Sequence, residues 1–163
     1  MTAADREAVL AVLRTRWDAV FARAAEIARS PRLEEIFDDL GFRRSLGGFK
    51  TLLRAVRLYC DVKPADLSRR SFRKITERLA RERGSDARWM EKQMRLVIDR
   101  AYKTGTIARF AKYAVTHPVI DPDYPMTAVE FAAEMHSRLI LDALRENSSV
   151  PDVSPVCPRD FAP

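Results

Sequence analysis

Residues that carry most biological chemistry are scarce in this chain, which holds two histidines and two cysteines, with a few serines, glycines and carboxylates in suggestive spacings. His117 stands ahead of Asp121 and Asp123 in the segment HPVIDPDYP, a grouping that can recruit a metal ion or exchange protons near neutral pH. Turn preferences alone also generate Asp-Pro-Asp loops and His-Pro helix ends, so the plainer reading is a rigid, irregular loop. His136 follows Glu130 and Glu134, but helical di-iron sites need Glu and His three residues apart on two helices, and that spacing is absent. Ser71 and Lys74 match S-x-x-K, one spacing of an acylating serine; neither SDN nor KTG accompanies it, and Ser71 is better explained as a helix cap.

Gly47 and Gly48 precede a helix, so their amides with Lys50 could hold a phosphate at its start, although a bare Gly-Gly is a weak signature. Cys60 and Cys157 supply neither a disulfide framework nor the four close ligands of a zinc site. No P-loop, dinucleotide fingerprint or nucleophile elbow occurs. The sequence therefore offers no catalytic residue, metal site or cofactor, and the expectation is a non-catalytic protein.

Charge is the stronger signal. The net charge of +6 conceals sections of opposite sign: residues 1–40 hold 6 basic and 8 acidic side chains, residues 41–115 hold 20 and 7, and residues 116–163 hold 3 and 8. Lys50, Arg54 and Arg57 stand at helical spacing opposite Phe49, Leu52, Leu53 and Val56. Arg70, Lys74, Arg78 and Arg81 do the same opposite Phe72, Ile75 and Leu79, and Arg88, Lys92, Arg95 and Lys103 opposite Met90, Met94 and Val97. Any amphipathic helix shows charge to solvent; solvent exposure does not explain the excess of one sign.

Polyanions are the natural partners of such faces, because each phosphate neutralised by Lys or Arg releases condensed counterions. The expectation is a DNA- or RNA-binding protein, either a small ribonucleoprotein subunit or a dimeric DNA-binding regulator. Its phosphate contacts would be Lys50, Arg54, Arg57, Arg70, Lys74, Arg78, Arg81, Arg88, Lys92 and Arg95. The alternative is an adaptor or inhibitor whose basic face docks on an acidic protein, including the acidic ends of a second copy.

The stretch TERLARERGSDARWMEKQMR partly fits a helix-turn-helix, with Ala80 permitting close packing, Gly84 making the turn, and Leu79 and Met90 facing the partner helix. Arg83, Ser85 and Gln93 occupy places where that motif is normally apolar. Trp89 beside the basic stripe reads as a partly buried anchor.

The elements that must position these residues are helical. Apolar residues recur at three- and four-residue steps, and Pro and Gly punctuate them, giving expected helices at 4–29, 32–40, 48–61, 68–83, 86–103, 106–116 and 127–146. In the first, Val9, Leu10, Leu13, Trp17, Val20, Phe21, Ala24 and Ile27 share one side. Trp17 and Phe21, with Phe131 and Ile140 on the last helix, are candidates for core or for a homodimer interface. Ser68 or Ser71, Ser85 or Asp86, Thr106, and a Thr127–Glu130 capping box mark helix starts.

The expected architecture is an all-α, single-domain bundle over residues 1–146 with a proline-rich tail at 147–163 that lacks regular structure. No run approaches the roughly 18 apolar residues of a membrane span, and the first residues lack the pattern of a signal peptide, so the expectation is a cytoplasmic protein without a membrane partner.

Overall fold

The computed structural model describes residues 2–116, 121 and 123–147. Among them the chain is helical: α1 (Ala3–Arg29), α2 (Arg32–Asp39), α3 (Gly47–Cys60), α4 (Arg69–Glu82), α5 (Ala87–Lys103) and α6 (Ala128–Asn147), with short 3-10 segments at Pro64–Asp66 and Thr106–Lys112. No described helix is long and apolar enough to cross a membrane. The expected tail lies outside the described residues from 148 onward.

Helix ends follow the local chemistry. The Ser68 hydroxyl accepts the Ser71 amide at 3.1 Å while the Ser71 hydroxyl accepts the Ser68 amide at 2.9 Å, so the two serines satisfy the free amides at the start of α4 together. Asp86, not Ser85, caps α5 by accepting the Arg88 amide. Thr127 and Glu130 form the expected capping box on α6. Between α4 and α5, Gly84 takes a left-handed φ of 61°, and Ser85 N–H donates to Ala80 O while Gly84 N–H donates to Arg81 O, closing α4 in a Schellman turn.

The expected helix at 106–116 is instead a 3-10 segment ending at Lys112. Gly105, left-handed, precedes it, and the Thr106 hydroxyl donates back to Ala101 O rather than capping a new helix. The segment's first turn is thus tied to the end of α5, and Phe110 anchors it in the core with no exposed surface.

One core spans the bundle. Phe37 of α2 sits at its centre, with the rings of Phe42, Phe49 and Phe131 at 5.2, 5.7 and 5.5 Å, all edge-on. Phe110 packs on Phe131 at 5.8 Å. Met90, Met94 and Ile98 of α5 and Met135 and Leu139 of α6 are fully buried around them. Cys60 is buried here too, and burial pushes its thiol up to about 12, which removes it from nucleophilic chemistry at neutral pH.

α3 and α5 are in tight contact at Gly48. A Cβ built there would lie 2.0 Å from the carbonyl oxygen of Gln93 and 2.8 Å from Val97. The absence of a side chain at the second glycine of the pair is therefore explained by helix packing alone.

α1 behaves as two halves. Val20, Ala24, Ile27 and Ala28 are buried against α6, α3 and α2, as their spacing implies. Every residue from 2 to 19 is exposed, including Val9, Leu10, Leu13 and Trp17, which the shared periodicity had placed on the same inner side. Phe21 marks the border, its ring stacked on His136 at 6.0 Å. Of the other interface candidates, Phe131 is core and Ile140 half-buried.

Candidate nucleic-acid interface

α3, α4 and α5 pack on one another, so each turns its polar side outward. Lys50, Arg54, Arg70, Lys74, Arg78, Arg81, Arg88, Lys92 and Arg95 are all exposed. Arg57 departs from the expected stripe. Its guanidinium is half-buried, with Nε donating to Ala28 O at 2.9 Å and Nη2 to Glu34 at 2.9 Å. It satisfies a carbonyl in the last turn of α1 and ties α3 to α1 and α2, a structural duty that the other stripe residues do not share.

The α3 and α4 stripes join into one band. Glu82 forms an ion pair with Arg54 across the helix pair at 2.5 Å and accepts from Arg78 Nε along its own helix at 3.1 Å, so the two arginines flank one carboxylate. Arg70, Lys74 and Arg78 line a hollow of about 770 Å³ with Ser68 and Ser71; its acidic member is Asp66. Lys50, Arg54 and Arg57 line a cleft of about 370 Å³ that also draws in Arg44 and Arg83. Sequence periodicity missed these last two, because a loop residue and a helix C-cap belong to no face; only their nearness in the chain to Lys50 and Arg81 hinted at them.

The α5 stripe is less uniform. Arg88 borders a different cleft, shared with Arg69 and Arg73 but also with Glu77, Asp86 and Glu91. Arg95 lies 3.7 Å from Asp99. Arg109 and Lys112 also turn from solvent partners to α2: Arg109 donates to Asp39 O, and Lys112 and the Tyr113 hydroxyl meet the Asp39 carboxylate, holding it below the usual carboxylate range.

α4 and α5 place Leu79, Ala80 and Met90 inside, where a helix-turn-helix would need them, and leave Arg83 exposed and Ser85 and Gln93 half-buried. Gln93 is taken up by the approach to Gly48. Trp89 is 49% exposed, not the partly buried anchor its type suggested, so an aromatic face accompanies Arg88 and Lys92 on α5.

The residues with catalytic spacing are occupied by structure. The Ser71 hydroxyl is engaged with Ser68, and Lys74 projects to solvent. Buried Glu134 accepts the Val115 and Thr116 amides and the Thr116 hydroxyl, pinning the segment that follows the 3-10 turn. Asp121 accepts the Asp123 amide at 2.9 Å, an Asx-type turn, and His117 lies outside the described residues. Among the described residues no group of three His, Cys, Asp or Glu side chains is placed to hold a metal ion.

His136 is buried between Phe21 and Tyr59, and burial lowers its basicity below the ordinary value of 6.5. The unfolded chain then takes up the proton first. Stability is present above about pH 6.5 and falls on acidification, by up to about 1.4 kcal/mol per pH unit. Urea unfolding between about pH 7 and 5 is expected to show this slope, and His136→Leu to flatten it.

Compared with protein-family models, curated proteins and solved structures, the chain matches none.

Proposed function

We propose that this chain is a non-catalytic nucleic-acid-binding protein that holds the phosphate backbone on the joined α3–α4 band, as a small ribonucleoprotein subunit or a DNA-binding regulator. The observation that carries this reading is the band itself: Lys50, Arg54, Arg70, Lys74, Arg78 and Arg81 stand exposed on adjoining helices. Glu82 is shared by two of the arginines, and Asp66 and Glu34 are the carboxylates in the adjoining hollow and cleft, so the face keeps an excess of positive charge. Phosphate contacts position a duplex or a single strand without reading bases, which suits a face of guanidinium and ammonium groups on rigid helices. Arg88, Lys92 and exposed Trp89 extend the reading to α5, where an aromatic plane beside cations can stack on a base or sugar.

The test is a salt series of binding to labelled duplex DNA, single-stranded DNA and RNA. If the six cations of the band each neutralise one phosphate, log affinity falls against log salt with a slope of about −5 on duplex DNA. A Lys74→Glu, Arg78→Glu, Arg81→Glu variant is expected to lose at least about a hundredfold in affinity at low salt and to flatten the slope by about 3. These side chains are exposed and the one ion pair lost is worth a few tenths of a kcal/mol, so helical circular dichroism should be retained. No binding to any of the three polymers at low salt would overturn the reading in favour of an acidic protein partner.

A further inference from the structure

The exposed outer half of α1 lacks a partner among the described residues, yet its sequence is written like a seam. Leu10 and Trp17 recur at one heptad position and Arg6, Leu13 and Val20 at the other, with Val9 alongside. From residue 3 to residue 19 the helix runs about 25 Å beyond the point where burial begins. Val9, Leu10, Leu13 and Trp17 are 51, 50, 46 and 47% exposed, a contiguous apolar stripe of the kind that marks an interaction surface.

We propose that this segment pairs with the same segment of a second copy, in antiparallel register, so that the protein is a two-fold dimer joined through α1. The charges beside the seam select the occupant and its direction. Glu7 and Arg14 hold the same flanking position one heptad apart and have opposite signs. In an antiparallel pair like flanking positions face each other, so Glu7 of each copy meets Arg14 of the other, twice per dimer by symmetry. The same register layers Leu10 on Leu13 of the other copy and sets Arg6 over the Trp17 ring, where a cation and an indole face attract.

A parallel pair does none of this. It would stack Arg6 on Arg6 in the seam and leave Glu7 and Arg14 opposite Thr2 and Val9. The antiparallel overlap also closes on itself, because Ala3, at the start of the helix, falls opposite Val20, where α1 enters the bundle and becomes buried.

The test is sedimentation equilibrium of the full chain from about 1 to 200 μM, in low and moderate salt. Wild type is expected to move from 18.6 kDa toward twice that mass. Leu13→Asp is expected to stay monomeric with unchanged helical circular dichroism, since Leu13 is solvent-exposed in the single chain. Glu7→Arg and Arg14→Glu alone are each expected to weaken association at least about tenfold, by placing like charges together. The double variant Glu7→Arg, Arg14→Glu restores both pairs and should recover wild-type association. Three results would overturn the proposal: a wild type that stays monomeric, a dimer indifferent to Leu13→Asp, or a double variant no better than the singles. The first would leave the stripe to another segment of the chain or to a different protein, and the second would place the dimer interface elsewhere.

Discussion

Gly48→Ala is expected to destabilise the fold by about 3 kcal/mol, lowering the thermal midpoint by roughly 6 to 12 °C, whereas Gly47→Ala should leave it unchanged or slightly raised. The two substitutions add the same methyl group to neighbouring positions in the first turn of one helix. At Gly47 the new Cβ would have as its nearest neighbour the Oε1 of Gln93, at 4.0 Å, the far end of a flexible side chain. Alanine also favours helix over glycine by up to about 1 kcal/mol. At Gly48 the Cβ would meet the Gln93 carbonyl oxygen at 2.0 Å and its carbon at 2.5 Å.

Backbone inside a helix cannot rotate away, so α3 and α5 would have to separate by about 1 Å, in an interior too close-packed to absorb the shift. Thermal melts of the two variants beside wild type check this directly. A Gly48→Ala protein as stable as wild type would mean that α3 and α5 do not pack through this contact. The same comparison bears on function: if Gly48 were held for phosphate binding, its alanine variant would lose affinity while keeping its melting temperature.

Much of the architecture is legible in the sequence because it is punctuated locally. Pro31, Gly41, Ser68, Gly84, Asp86, Gly105 and Thr127 each act within three or four residues of themselves, and the bounds of α2, α3, α4, α5 and α6 fall within a residue or two of the expected ones. The basic stripes are legible for the same reason: a charged residue opposite an apolar one faces outward whatever the helix packs on. Arg57 breaks this rule because its partner carbonyl and carboxylate lie 29 and 23 residues away, at Ala28 and Glu34. No local pattern can show that a long side chain will bend back along its helix to reach them.

The outer half of α1 fails differently. Its apolar periodicity is real, but periodicity says that a face is to be covered and not what covers it. Residues 20–28 find α6, α3 and α2, and residues 9–17, in the same phase, extend past them. The 3-10 segment at Thr106–Lys112 was hidden because its geometry depends on a hydroxyl bonding backward to Ala101. The joining of two basic stripes into a band depends likewise on a helix pair meeting over Glu82. Local residues set the elements, and long-range contacts decide which of their faces become a site.

Phe37→Ala should cost about 3 to 5 kcal/mol, the largest loss expected from a single truncation in this bundle. The Phe37 side chain has no exposed surface, and its ring presents to the rings of Phe42, Phe49 and Phe131 at interplanar angles of 81, 88 and 68°. Edge-to-face pairs of this kind add about 0.5 to 1.5 kcal/mol each beyond the area they bury. α2 is eight residues long and begins at Pro31 without a side-chain cap, too short to be helical by itself, so its position rests on what Leu33, Ile36 and Phe37 bury.

Losing Phe37 therefore also loosens the placement of Glu34 and Asp38, the carboxylates that hold Arg57 and Arg44 at the edge of the basic cleft. Phe37→Leu, which keeps most of the volume and loses the ring edges, is expected to cost clearly less than the alanine. Urea titrations of the three proteins give the ordering. Nucleic-acid affinity measured below the transition should fall far less than stability does, because Lys50, Arg70, Lys74 and Arg81 project from α3 and α4 without an ion pair to α2. If affinity and stability fell together, phosphate binding would depend on the α2 side of the cleft and not on the α3–α4 band.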